Sequence, residues 1–137
     1  MFKTEQRVYY ADTDSYGVVW HGTYLRWMEA ARVDFCSEIG INLVDLYNQD
    51  IAIPVTNINI RYKSSAKLDD NVIVETSLIQ LTPLSAKFKQ VIKNSKTNTI
   101  HTIGEVDVVA VHNDGKLYRR LPDILKEKLE RCLECSD

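Results

Sequence analysis

The sequence has 137 residues, of which 45% are hydrophobic and 26% charged, and its formal net charge is −2. This length favours one domain over residues 1–137, with a core large enough to fold without disulfides. The small negative charge gives no reason to expect nucleic-acid binding, and no apolar run approaches the about 20 residues of a membrane span.

The first elements are a strand, an acidic turn and a long helix. Residues 2–10 alternate weakly in polarity and predict a strand that begins without a signal peptide, so we expect a cytoplasmic protein. The acidic turn is Asp12-Thr13-Asp14-Ser15-Tyr16-Gly17. The helix begins near His21 and ends before Gly40, a typical left-handed terminator. Its apolar face has residues at spacings of three and four: Tyr24, Trp27, Met28, Ala31, Phe35 and Ile39. On the other side, Arg26, Glu29 and Arg32 are expected to pair with one another in solvent.

Strands dominate the second half of the chain. After one or two helical turns in residues 42–50, the pattern predicts strands over residues 51–62, 71–81, a stretch after Pro83, and 99–112. We expect the last of these to be the longest and the central one. Leu121-Pro122 opens a final helix with Ile124, Leu125 and Leu129 facing inward. The predicted fold class is α+β, an antiparallel sheet wrapped around one long helix, and one helix cannot cover such a sheet, so we expect self-association.

The acidic turn and the helix start bring a carboxylate, a glycine turn, a histidine and unpaired backbone N–H groups together. Such N–H groups can polarise a carbonyl oxygen as it gains negative charge. Asp14 could then attack a carbonyl as a nucleophile, or activate water as a general base. The more common alternative is structural: Asp-x-Asp before a glycine usually forms a turn, and a histidine near a helix start usually caps or packs.

The three cysteines do not indicate a metal site. Cys36 lies in the long helix, and Cys132 and Cys135 form a C-x-x-C with no second ligand pair in the sequence. We therefore expect neither a metal nor a cofactor.

The run Asp12-Thr-Asp14-x-x-Gly17-Val-Val-x-His21-x-x-Tyr24, followed by a helix, resembles the signature of the 4-hydroxybenzoyl-CoA thioesterase family of hot-dog-fold acyl-CoA thioesterases. The later Arg61-Tyr62 and Leu68-Asp69-Asp70 fit the same family. The resemblance implies a hot-dog fold and hydrolysis of a short-chain or aromatic acyl-CoA. It also implies a homodimer or homotetramer with sites between protomers.

The resemblance also implies roles for individual residues. Asp14 matches the catalytic carboxylate. The backbone N–H of His21 matches the group that polarises the thioester carbonyl, and its side chain matches a histidine that positions substrate or water. Asp12 is expected to hold the turn. The expected substrate-binding residues near the turn are Gly17, Val19, Trp20 and Tyr24, although Tyr24 fits a core position equally well.

Recognition of the CoA phosphates is less clear, because Thr82-Pro83-Leu84 has no basic residue where one relative has several. The substitutes are Ser85, Lys87, Arg119 and Arg120, with Lys63, Lys67, Lys89 and Lys116 as further candidates. Four aromatic side chains near the acidic turn fit an aromatic acyl group, but they could instead pack in the core or face a short aliphatic chain: Tyr16, Trp20, Tyr24 and Trp27.

Three alternatives remain open at the level of sequence. The same cleft could bind an acyl group or a partner protein without turnover, because fold does not fix function. The acyl group could also be carried on acyl carrier protein rather than CoA. A hot-dog dehydratase is weaker, because such enzymes place a histidine and a carboxylate differently.

Overall fold

The computed structural model describes the backbone of residues 1–135 and the side chains of residues 1–133. A 3₁₀ turn at Tyr10–Asp12 follows the first strand. The strands and α-helices are β1 (Phe2–Arg7), α1 (His21–Glu38), α2 (Leu43–Asn48), β2 (Val55–Tyr62), β3 (Asn71–Leu81), β4 (Ser85–Asn94), β5 (Ile100–Val109) and α3 (Asp123–Cys135).

The five strands form one antiparallel sheet in the order β1-β3-β4-β5-β2. The long helix α1 packs on this sheet, with Phe35 in edge-to-face contact with Phe2 of β1 and Phe88 of β4. This confirms the predicted α+β layout. Of the six residues predicted for the apolar face of α1, Ile39 lies just beyond the helix and is half-buried. The other five are buried: Tyr24, Trp27, Met28, Ala31 and Phe35.

The C-terminal end of α1 and its charged residues can be compared with the sequence predictions. Gly40 has a φ of +86°, a left-handed conformation that glycine adopts without steric cost, and it ends the helix as predicted. The predicted pairing among the charged residues of α1 is wrong. Arg26 instead bonds to Asp12, and Arg32 turns inward to Gln90, because each finds a fixed partner on a neighbouring segment.

A buried polar network joins α1 to the middle of the sheet. The Nη1 of Arg32 donates to Oε1 of Gln90 at 2.9 Å. The amide nitrogen of Gln90 donates to the backbone oxygen of Met28 at 2.8 Å and to Oγ1 of Thr76 at 3.1 Å. Gln90 and Thr76 are fully buried, so α1, β4 and β3 are connected by bonds that water does not reach.

Several predicted boundaries and positions were wrong. β3, with 11 residues, is longer than β5 with 10, and β4 rather than β5 is central. β5 ends at Val109 because the chain then forms only isolated bridges, from Val111 to Ala52 and Leu117. In α3, Ile124 is 39% exposed, because Leu125 and Leu129 occupy the buried stripe.

The two edges of the sheet differ in character. In β1, side chains alternate between half-buried and exposed. In β2, every residue except Ile60 is exposed, including Ile58 at 39% and Tyr62 at 44%. An unpaired strand edge with exposed apolar side chains is a ready surface for pairing with another strand. Within the described part of the chain, no helix has the length and apolar character needed to cross a bilayer.

Candidate active site

Residues 12–20 fold back on themselves as a narrow hairpin. The N–H of Trp20 donates to the oxygen of Asp12 at 2.9 Å, and the N–H of Asp14 donates to the oxygen of Val18 at 2.8 Å. The turn closes where the N–H of Gly17 donates to the oxygen of Asp14, and Gly17 has a φ of +79°. A side chain at this position would strain the turn, so the glycine fixes where Asp14 is presented.

The two carboxylates of this hairpin occupy different environments. Asp12 is 3% exposed, accepts the N–H of Tyr9 at 2.9 Å and binds the guanidinium of Arg26. It has the structural role that the sequence predicted for it. Asp14 is half-buried, and its Oδ1 accepts the N–H of Tyr16 at 2.8 Å. Among the hydrogen bonds of the described residues, none reaches Oδ2 of Asp14.

The hairpin leads directly into the N-terminus of α1. Trp20 is the N-cap residue, in an extended conformation, and its side chain makes no capping hydrogen bond. The N–H of Thr23 donates back to the oxygen of Trp20 at 2.9 Å. The N–H groups of His21 and Gly22 have no acceptor within residues 1–133. They therefore lie at the positive end of the helix dipole as unused donors.

Aromatic rings surround this helix terminus. The rings of Trp20 and His21 are 5.0 Å apart, and the His21 ring meets Tyr62 of β2 edge to face at 6.4 Å. Tyr62 in turn contacts Tyr24 at 5.7 Å. A Cβ at Gly22 would lie 2.2 Å from a carbon of the Trp20 ring, so only glycine allows the indole to lie across the first helical turn.

Three hydrogen bonds connect the hairpin and the start of α1 to Tyr62, the last residue of β2, and to Ala66 in the loop that follows. The hydroxyl of Tyr62 donates to the backbone oxygen of His21 at 3.0 Å. The backbone N–H of Ala66 donates to the hydroxyl of Tyr24 at 2.9 Å, and the oxygen of Ala66 accepts the N–H of Val19. The side chains of Val19 and Tyr24 are 4% and 2% exposed, which places both in the core. Sequence reasoning did not include Tyr62 in the site, because a tyrosine at the end of an alternating strand usually signals packing alone.

Four of the predicted phosphate-binding residues lie away from this site: Ser85, Lys87, Arg119 and Arg120. The further candidate Lys67 lies beside the hairpin, in a bridge with Val18, and Lys63 directly follows Tyr62. Ser85 is opposite Val109 at one end of β5, whereas Tyr62 is opposite Thr102 near the other end. Thr102 and Val109 are seven positions apart, roughly 23 Å at about 3.3 Å per residue. The remaining three residues share the Ser85 end: Lys87 faces Asp107, and Arg119 and Arg120 are exposed just before Leu121, whose N–H donates to Pro83.

A cavity of about 310 Å³ lies at this second end of the sheet. It is bounded by α1, the start of β2, β4, β5 and α3, and its lining is mainly apolar, for example Val33, Val55, Phe88, Val108 and Leu125. Its volume is at the lower end of the range for small-molecule pockets. Neither Asp14 nor His21 lines it. Within one chain, the cavity and the start of α1 are therefore separate.

The described residues offer no metal site, since no group of three or more His, Cys, Asp and Glu among them is placed to hold an ion. Burial raises the pKa of the Cys36 thiol to about 11, so it is an unreactive core residue. The C-x-x-C prediction includes Cys135, whose side chain lies outside the described residues.

Residues 8–129 match the family model of the Thioesterase-like superfamily. The chain belongs to this superfamily. It is 33% identical over 122 residues to the acyl-CoA thioester hydrolase YbgC of Escherichia coli O157:H7, covering 89% of this chain and 90% of YbgC. It is also 32% identical over 129 residues to sll0410 of Synechocystis, covering 93% and 78% of the two chains. A DHNA-CoA thioesterase from Staphylococcus aureus has a similar structure, with a TM-score of 0.85 and 32% identity over 96% of this chain and 87% of that one. The hot-dog fold and the thioester hydrolase class predicted from the sequence are thereby confirmed.

Proposed function

We propose that this thioesterase hydrolyses a short-chain or aromatic acyl-CoA, with Asp14 as its catalytic carboxylate. The observation that carries the proposal is the geometry of the hairpin and helix start. A half-buried carboxylate, one oxygen of which accepts no hydrogen bond from the described residues, lies on the hairpin that leads into a helix terminus with unused N–H donors. The names of the relatives, an acyl-CoA thioester hydrolase and a DHNA-CoA thioesterase, support a CoA ester as substrate.

In the proposed reaction, the thioester carbonyl oxygen points at the N–H groups of His21 and Gly22. As a nucleophile adds to the carbonyl carbon, negative charge develops on this oxygen and the N–H donors stabilise it. The C–S bond then breaks, the thiolate leaves as CoA and takes up a proton, and water supplies the second oxygen of the acid product. Asp14 either removes the proton from that water or attacks the carbonyl first to form an anhydride that water opens.

The separation of the reactive end from the predicted basic residues supports a site shared by two chains. β2 is an exposed edge strand, so two copies can pair antiparallel along it. If they pair about the middle of the strand, Tyr62 lies opposite Val55 of the partner subunit, at the usual strand spacing of about 4.8 Å. The cavity end of one chain then adjoins the helix terminus of the other.

This arrangement brings the predicted residues from the two ends of the sheet into one site. Asp14 and the helix terminus act from one subunit, and the acyl group enters the apolar cavity of the other, which Val55 helps to line. The CoA phosphates would be bound by Arg119 of the partner subunit and Ser85 of the partner subunit, which lie at the cavity end of the sheet. The aromatic rings around the start of α1, Trp20 and Tyr62 among them, favour an aromatic acyl group.

The decisive experiment measures thiol release from a panel of CoA esters: acetyl, hydroxybutyryl, long-chain, benzoyl, hydroxybenzoyl and dihydroxynaphthoyl. We expect one aromatic or short-chain ester to be strongly preferred. Asp14→Asn should lower kcat at least about 100-fold, the lower range for an acid–base group, with the melting temperature unchanged. Rapid-quench mass spectrometry of the enzyme during a single turnover separates the two mechanisms, because only the nucleophilic route adds the mass of the acyl group to the protein.

Two results would contradict the proposal. Full activity of Asp14→Asn would remove Asp14 from the chemistry. Slow and equal hydrolysis of every ester would exclude these CoA esters as substrates. Repeating the assay with acyl carrier protein thioesters would then show whether the carrier is wrong, and tight binding of the esters without turnover would indicate a binding protein.

A further inference from the structure

The hydroxyl of Tyr62 donates a hydrogen bond to the first carbonyl group of α1. The Tyr62 Oη lies 3.0 Å from the backbone oxygen of His21. This oxygen and the N–H of Gly22 belong to the same planar trans peptide unit, and they point in opposite directions. The Tyr62 hydroxyl, by donating to the His21 oxygen, therefore helps to fix the orientation of the His21–Gly22 peptide plane. In this orientation the Gly22 N–H points out of the helix N-terminus.

The Gly22 N–H is an unused donor at the helix terminus. It is in the first turn, where backbone N–H groups have no partner inside the helix, and none of the described residues accepts from it. Hydrogen bonds in a chain polarise one another, so a bond accepted by a peptide oxygen strengthens the donor on the nitrogen of the same peptide. The Tyr62 bond thus acts on the very group that faces a developing oxyanion.

The Tyr62 ring has little freedom to move away. It meets the rings of His21 at 6.4 Å and Tyr24 at 5.7 Å, and Tyr24 is itself 2% exposed and fixed by the N–H of Ala66. Partial burial raises the pKa of the Tyr62 hydroxyl, so it keeps its proton and remains a donor at neutral pH.

We propose that Tyr62 is a positioning residue of the oxyanion site, which orients and strengthens the Gly22 N–H as a second donor beside that of His21. This rests on the proposed function. The Tyr62 hydroxyl touches no reacting atom and acts only through the His21–Gly22 peptide, and Tyr62→Phe keeps the ring. Loss of its hydroxyl should therefore slow the chemical step and leave ground-state binding unchanged.

The test compares Tyr62→Phe with Tyr118→Phe. The hydroxyl of Tyr118 donates to the backbone oxygen of Asp50 at 2.8 Å, a bond of the same type far from α1, so this variant controls for the loss of such a bond. We expect kcat of Tyr62→Phe to fall about tenfold with KM changed less than about twofold, a fraction of the loss for a direct oxyanion donor. Tyr118→Phe should keep the kcat of the wild type.

A thioether analogue of the preferred ester provides a readout that a merely structural role would not give. It has no carbonyl group, so it should bind Tyr62→Phe and wild type equally. Wild-type kcat in Tyr62→Phe, or a parallel loss of kcat, thioether affinity and melting temperature, would overturn the inference. The proposed function is judged separately, from Asp14→Asn, so a failure of one is distinguishable from a failure of the other.

Discussion

The carboxylate of Asp12 is buried beneath the hairpin and binds the guanidinium of Arg26, one turn into α1. It also accepts the N–H of Tyr9, so it connects the end of the first strand to the helix. Asp14, two residues later, is left to face outward. One aspartate therefore holds the turn that presents the other.

The first prediction concerns the unequal importance of the two partners of this ion pair. Asp12→Ala should lower the free energy of unfolding by about 1–3 kcal/mol, because it leaves the Tyr9 N–H without its acceptor. Arg26→Ala should cost less, about 1 kcal/mol, because water can replace the largely exposed guanidinium and the buried Asp12 carboxylate keeps the Tyr9 N–H. Urea denaturation measures both. Equal losses would show that the ion pair, rather than the backbone bond, dominates.

The second prediction concerns Gly22. Gly22→Ala improves helix propensity by about 1 kcal/mol but forces the Trp20 ring to move. We expect KM to rise several-fold and the emission of Trp20, measured in a Trp27→Phe background, to shift to longer wavelength. In a Trp20→Leu background, Gly22→Ala should no longer change KM. A persistent change there would mean that the indole is not the group displaced.

The third prediction concerns acid stability and His101, which is 3% exposed. Ser64 Oγ donates its only proton to the Ile100 oxygen at 2.8 Å. It must therefore accept the hydrogen bond from Nδ1 of His101, at 3.0 Å. The other ring nitrogen of His101, Nε2, has no hydrogen-bond partner among the described residues. Burial lowers the pKa of His101, against the opposing effects of Asp70 and Ser64. The imidazole is therefore buried in its neutral form.

The sign of the effect follows from proton binding. Between the lowered pKa of the folded state and the ordinary value of about 6.5, the unfolded chain binds more protons at His101 than the folded one. The free energy of unfolding should therefore fall as pH drops below about 6.5. His101→Phe should flatten this part of the profile in urea denaturation at several pH values. An unchanged slope would assign the acid sensitivity to another group.

The fourth prediction concerns the exposed edge strand. Ile58→Lys should prevent pairing along β2 and give a monomer in sedimentation, with at least about tenfold lower turnover, because each site is then incomplete. Ile79→Lys, at a similarly exposed apolar position on β3, is the matched control. A fully active monomer would contradict the shared site.

The fifth prediction uses subunit mixing. Asp14→Asn and the double variant Arg119→Ala/Arg120→Ala should each have low activity at limiting substrate. Mixed by refolding in equal amounts, they should recover about a quarter of wild-type activity, because half of the dimers are hybrids with one intact site of two. If no activity returns, both sets of residues act within one chain.

Much of the fold could be predicted because hydrophobic period and turn residues are local signals. The buried face of α1 and the stop at Gly40 follow from spacing and from glycine. The order of strands could not, since pairing partners are chosen by contacts between distant segments, and β5 was consequently misplaced at the centre. Arg32 was misread for the same reason, because its partner Gln90 is 58 positions away.

The candidate site likewise contains some residues that a local sequence pattern can identify and others that it cannot. Asp14, Gly17 and His21 are close in the chain, so a motif could identify them. Tyr62 and Ala66 join the site through hydrogen bonds across more than 40 positions, which no local pattern encodes. In the proposed dimer, Ser85 and Arg119 reach the site only through the pairing of two chains, which the sequence of one chain does not specify.

The network of Arg32, Gln90 and Thr76 bears on the alignment of α1 over the sheet. An apolar helix face on an apolar sheet could slide, because hydrophobic contact has no fixed direction. Directional bonds to a buried amide allow only one alignment, and a slip of one turn would shift the helix by about 5.4 Å. Met28, which accepts one of these bonds, is about 10 Å along the axis from His21. Gln90 thus fixes the position of α1 along the sheet. Its loss should make the position of the helix N-terminus less well defined, although Gln90 does not contact the substrate.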